Sequence, residues 1–110
     1  FHKGALFQNL IVSELLKKRY NAGKPDNLFF WRDKTGHEID LVIDNGAELV
    51  PVEIKSSRTV SAEFFKNLKF YCNVSGIDQN KSAVVYGGEQ NQNRANGRVL
   101  GFKSAEGLLK

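Results

Sequence analysis

Apolar residues recur at three- and four-residue spacing from Ala5 to Tyr20, where Leu6, Phe7, Leu10, Ile11 and Leu15 mark one face, and this period predicts an α-helix. Lys17, Lys18 and Arg19 in the last turn complement the negative end of the helix dipole, and Gly23 and Pro25 stop it. The pattern then changes. Asn27 to Lys34 is aromatic and apolar enough for a strand, Thr35-Gly36 supplies a turn, and His37 to Asp44 alternates with the period of two that marks a half-buried strand. Asn45-Gly46 is a strong hairpin signal, so Glu48 to Ser56 is expected to return antiparallel, with Pro51 marking an edge or a bulge because it lacks a ladder donor. Helical spacing resumes from Val60 to Asn73 through Phe64, Phe65, Leu68 and Tyr71 or Cys72, with Ser61 as the cap. Lys81 to Tyr86 reads as a strand, Glu89 to Asn96 as an exposed polar loop, Arg98 to Lys103 as a last strand and Ala105 to Lys110 as the start of another helix. The order α-β-β-β-α-β-β predicts an α/β domain with one mixed central sheet flanked by helices.

The hairpin has chemical consequences. With Asn45-Gly46 as a two-residue loop, Asp44 faces Ala47, Asp40 faces Pro51 and Glu38 faces Glu53. Alternation then puts Ile39, Leu41 and Ile43 on one face with Val50, Val52 and Ile54, and Glu38, Asp40 and Val42 on the other with Leu49, Glu53 and Lys55. Asp40 and Glu53 become diagonal neighbours, about 7–8 Å apart at the backbone, and Lys55 lies two residues further along the same face. Adjacent carboxylates repel unless a proton or cation neutralises them. Hard oxygen ligands suit Mg²⁺ or Mn²⁺, which keep waters and substrate phosphates as their other ligands. A solvent-facing ion pair of Lys55 with Glu53 and Asp40 is the competing reading of the same pattern.

Composition narrows the classes. The chain has 110 residues, 41% hydrophobic and 25% charged, which fits one folded domain and excludes disorder and collagen-like repeats. No apolar run has the length of a membrane span and no signal pattern opens the chain, so a cytoplasmic location and no membrane partner are expected. The single cysteine, Cys72, excludes an internal disulfide and a cysteine-rich zinc site. A net charge of +4 favours attraction to nucleic acid, while Asp33, Glu38, Asp40, Asp44, Glu48 and Glu53 supply half of the twelve acids within a short stretch. Together these suggest a cation held beside a polyanion.

Asp40 followed thirteen positions later by Glu53-Ile54-Lys55 resembles the PD-(D/E)XK arrangement of restriction-endonuclease-like nucleases. More closely, Gly4 to Leu16, Phe30-Trp31-Arg32-Asp33, Glu38-Ile39-Asp40 and Val52 to Ser57 resemble the C-terminal domain of unknown function that follows an AAA-type ATPase module in bacterial and archaeal ATPases. That resemblance covers the first seventy residues. It implies a restriction-endonuclease-like fold over residues 1–110, a C-terminal fragment of a longer ATPase, with ATP bound only by the missing ATPase portion. It also implies a divalent-metal-dependent domain acting on or binding the DNA backbone, as an endo- or exodeoxyribonuclease. Asp40 and Glu53 would hold a weakly bound Mg²⁺ or Mn²⁺, and Lys55 would polarise the attacking water or stabilise developing charge.

Relatives carry a helix carboxylate where this chain has Gln8, which offers a carbonyl oxygen but no charge. Glu14 is a substitute candidate: its helical phase falls inside the apolar arc, so it is expected either to reach the metal or to pair with Arg32. Lys17, Lys18, Arg19, Arg58, Lys66 and Lys69 are candidates for the backbone phosphates, and Phe30 and Trp31 for base stacking. Asn67 and Tyr71 share a helix face, and neither His2 nor His37 anchors a mechanism. The alternatives are a catalytically degenerate fold that binds DNA or docks a protein, and a lid or oligomerisation element of the ATPase.

Overall fold

The computed structural model describes residues 3–110. Helix α1 (Lys3–Asn21) is followed by strands β1 (Leu28–Arg32), β2 (Glu38–Asp44) and β3 (Leu49–Lys55). A 3₁₀ turn (Ala62–Phe65) leads into helix α2 (Lys66–Ser75), then come β4 (Ala83–Tyr86), β5 (Gln92–Arg94), β6 (Gly97–Gly101) and a 3₁₀ segment (Phe102–Leu108). The six strands form one mixed sheet in the order β1-β2-β3-β4-β6-β5, parallel where β4 meets β3 and β6, antiparallel elsewhere. The predicted α/β class and mixed sheet are therefore present.

Each sheet face is covered. On one, Ile11 and Leu15 of α1 with Ala105 and Leu108 pack on Leu41, Ile43, Val50, Val52, Ile54 and Val85. On the other, Phe65, Leu68 and Tyr71 pack on Ile39, Val42, Val84, Tyr86 and Val99. Burial on both sides is why β3 and β4 read as nearly continuous apolar runs. Ser61 accepts the Glu63 N–H at 3.2 Å and caps the 3₁₀ turn, so the α-helix expected from Val60 starts only at Lys66; it ends at Gly76, whose φ of 71° supplies the left-handed cap.

Several expectations need correction. The hairpin pairs Asp44 with Leu49 and Leu41 with Val52, because the loop centres on Gly46-Ala47 rather than on Asn45-Gly46. Gly46 takes φ 91° at the first central position, and Asn45 N–H closes the turn on Glu48 O at 3.0 Å. The resulting two-residue shift preserves the faces but brings Asp40 opposite Glu53 rather than diagonal to it. Pro51 lies in an interior strand, not at an edge. Ladder alternation makes Val42–Pro51 a non-hydrogen-bonded pair, so the missing donor points toward β4, whose own pairing with β3 starts only at Val52.

Ile39 also changes sides. β1 pairs Phe29 with Val42 but Trp31 with Ile39, so Asp40 and Leu41 together stand opposite Phe30 alone, a β-bulge that inverts the alternation beyond it. The polar segment expected as a loop contains β5, which pairs along β6 through backbone groups that do not depend on apolar side chains. The C-terminal segment is 3₁₀ rather than the beginning of an α-helix. Among the described residues no helix is long and apolar enough to cross a membrane.

Candidate functional site

The bulge in β2 is where the chemistry collects. Beyond the Leu41–Val52 pair the regular ladder would next have joined Ile39 to Ile54, and carboxylates take its place. Ile54 N–H donates to Asp40 Oδ2 at 2.8 Å, and Asp40 N–H donates to Glu53 Oε1 at 3.0 Å. The two acids are thus locked to the backbone of each other's strand. Asp40 is half-buried and Glu53 is only 4% exposed. Burial, and secondly the charge of Asp40, push the Glu53 carboxyl from its ordinary 4.5 up to about 7, against the lowering effect of the Asp40 N–H and Lys55.

Lys55 Nζ lies 3.6 Å from Glu53 Oε2 and 5.7 Å from the centre of the Phe64 ring. Both residues open into a cleft of about 470 Å³, lined also by His37, Glu63, Lys66 and Asn67. Asp40 borders a smaller cleft of about 130 Å³ that it shares with Gln8, Trp31 and Glu38. The paired carboxylates therefore form the wall between a helix α1 side carrying Gln8 and an α2 side carrying Lys55. Among the described residues no group of three His, Cys, Asp or Glu side chains is positioned to share a metal ion. Asp40 and Glu53 are the available charged oxygen donors, and their hard oxygens with a neutral Gln8 nearby fit Mg²⁺ or Mn²⁺ rather than a thiophilic metal.

Glu14 is not part of this constellation. Leu6 and Leu10 are about half exposed, so the buried stripe of α1 is narrower than the apolar pattern suggests and follows Phe7, Ile11 and Leu15. Glu14 falls outside it and pairs with Lys17 at 3.6 Å, while Arg32 pairs with Glu38 at 3.0 Å; both expectations for Glu14 are overturned. Lys18 pairs with Glu106 at 3.9 Å and Arg19 donates to the Pro25 carbonyl at 2.9 Å, both at the far end of α1 from Gln8.

The aromatic pair divides. Trp31 packs against Tyr71 with ring centres 5.0 Å apart, whereas Phe30 is 73% exposed. Asn67 reaches the larger cleft and Tyr71 is buried. His2 lies outside the described residues. Of the cleft residues, Lys66 and Asn67 were among the sequence candidates, His37 carried little weight and Glu63 was not singled out; Lys66 and Asn67 open α2, the helix that covers the Glu53 face.

No curated protein matches the chain. Residues 3–104, from the start of α1 into the last 3₁₀ segment and so including every strand and both acids of the bulge, match the family described as Domain of unknown function (DUF4143), and the chain belongs to that family.

Proposed function

We propose that this is a restriction-endonuclease-like domain that hydrolyses phosphodiester bonds of DNA with the help of a divalent metal ion, and that it is carried by an AAA-type ATPase. The observation that carries the reading is a buried Glu53 hydrogen-bonded across an interrupted ladder to Asp40, with Lys55 3.6 Å away at the mouth of a cleft. A structural ion pair needs no second carboxylate, and setting a half-buried Asp40 beside a buried Glu53 is costly unless a proton or a cation offsets the charge. Asp40 and Glu53 would hold Mg²⁺ or Mn²⁺, with the Gln8 carbonyl oxygen as an uncharged helper. The metal would supply Lewis-acid activation of the phosphate and of water. Lys55 stabilises negative charge developing on the phosphate, and the cations along the cleft, Lys66 among them, hold the backbone.

Gln8 favours a second reading, in which the same fold binds DNA without cutting it, because it removes the charge a third carboxylate would contribute. Isothermal titration with Mn²⁺ and a nuclease assay on single-stranded, duplex and branched DNA separate the two. Hydrolysis is expected in wild type at millimolar-scale Mn²⁺, lost in Glu53→Ala and Lys55→Ala proteins that still fold. Salt-sensitive DNA binding with no cleavage and no Mn²⁺ heat would leave the binding module.

A further inference from the structure

The turn between β1 and β2 is built around one carboxylate and one imidazole. Asp33 Oδ1 accepts N–H bonds from Thr35 at 3.0 Å and His37 at 2.8 Å, and its Oδ2 lies 3.1 Å from His37 Nδ1. Thr35 Oγ1, 3.0 Å from both oxygens of Asp33, lies 2.9 Å from the same ring nitrogen. Burial pushes the Asp33 carboxyl up, but the hydrogen bonds from His37 and Thr35 together hold it below the usual range, so it stays ionised and accepts a hydrogen bond from Nδ1–H.

The imidazole plane is fixed as well. His37 stacks on Phe70 with ring centres 3.7 Å apart and planes within 4°, and Phe70 in turn meets Trp31 at 6.3 Å. Neither the ring's tilt nor its tautomer is free. His37 keeps about a third of its side chain exposed and lines the same cleft as Glu53 and Lys55. Among the described residues Nε2 has no hydrogen-bond partner. Tying the turn uses Nδ1 only; an oriented ring with its other nitrogen uncommitted, in a residue that lines the same cleft as Lys55, is the arrangement of a proton donor held by a carboxylate.

Resting on the phosphodiesterase reading above, we infer that His37 is a further catalytic residue, which acts as the imidazolium: with Nδ1–H held on Asp33, its Nε2–H protonates the leaving oxygen. Water attacks phosphorus after releasing a proton to solvent, the P–O3′ bond breaks, and the electron pair left on O3′ takes the Nε2 proton. The products are a 3′-hydroxyl and a 5′-phosphate, and the imidazole regains its proton from solvent. The charged groups facing this ring are Asp33 from its own turn, Glu53 and Lys55 from β3, Glu63 from the 3₁₀ turn and Lys66 from α2.

The test uses His37→Asn, whose side-chain amide still donates to Asp33 but has nothing in place of Nε2. Two oligonucleotides are compared in saturating Mn²⁺, one natural and one with sulfur replacing the leaving 3′-oxygen at a single linkage, since a thiolate leaves without a proton. The variant should lose about 100-fold or more on the natural linkage and stay within a few-fold of wild type on the sulfur linkage. Thermal melting and Mn²⁺ affinity should not change. Independently of turnover, nitrogen NMR of the metal-free protein should show His37 protonated at Nδ1, with Nε2 perturbed on adding oligonucleotide. Equal losses on both linkages, no loss on the natural one, or an unperturbed Nε2 overturns the role of His37 alone. A wild type inert on both linkages overturns it together with the phosphodiesterase reading.

Discussion

A carboxylate that is 4% exposed must hold a proton or keep a cation close, and Glu53 has the Asp40 N–H and a partly exposed Lys55 at 3.6 Å to set against both burial and the Asp40 charge. Its carboxyl titrates near 7 in the folded chain against an ordinary 4.5. Between those values the folded protein binds a proton that the unfolded chain has released, so stability falls as pH rises through that window and is level above it. The full drop is on the order of 3 kcal/mol. Urea unfolding of the metal-free protein should therefore give a higher midpoint at pH 5 than at pH 8. Glu53→Gln, which keeps an acceptor for the Asp40 N–H, should flatten that dependence and raise stability at pH 8. If wild type and variant show the same profile, the buried charge is compensated in some other way. Gln8 makes the complementary case. It borders Asp40 and brings no charge, so Gln8→Glu should tighten Mn²⁺ binding by about tenfold in a calorimetric titration and increase cleavage.

At the scale of elements, the edge hairpin β5–β6 depends on one glycine. Gly97 has φ 142°, and a Cβ there would sit 2.6 Å from Ser82 Oγ and 3.0 Å from Phe65 Cε1, both in buried residues. Gly97→Ala should cost about 2–4 kcal/mol from backbone strain and overpacking together, a fall of roughly 10 °C or more in Tm. Gly107→Ala meets nothing within 4 Å and serves as the control, expected to melt like wild type. The same hairpin shows where reading a sequence stops. Period and turn chemistry were enough for the existence of α1, β2, β3 and α2, because each carries its own apolar pattern, although Ser61 caps the 3₁₀ turn that precedes α2. Gln92–Arg94 has neither, and its pairing rests on backbone groups alone. The Asp40–Glu53–Lys55 spacing was legible, although Glu53 and Lys55 border the α2-side cleft and Asp40 the α1-side one, so the three do not share the expected face. The bulge was not legible, because it arises from β1 offering Phe30 alone to two residues of β2, which no local pattern records. Glu14 was misplaced for a related reason: Leu6 and Leu10 look like core on a helical wheel, and only packing reveals that they are exposed.

For the whole molecule the proposed function raises the question of how a chain of net charge +4 would hold a polyanion beside two acids. Without a cation, Asp40 and Glu53 oppose phosphate where Lys55 and Lys66 attract it. With one, the same spot would become attractive and phosphate oxygens could complete the metal shell. Metal and DNA should therefore bind cooperatively, and linkage requires each to tighten the other by the same factor, expected to be about tenfold. The measurement is fluorescence anisotropy of a labelled oligonucleotide on Lys55→Ala protein, used to prevent turnover, with and without Mn²⁺ and across a salt series. Lys66→Ala, at the cleft, should weaken binding and lower the salt slope by about one. Lys18→Ala should not, because Lys18 is ten residues and so about 15 Å along α1 from Gln8 and is paired with Glu106. Equal effects of the two substitutions would mean that DNA is held by net charge rather than by this cleft. A Kd for DNA that Mn²⁺ leaves unchanged would mean that the carboxylate pair and the phosphates do not share an ion.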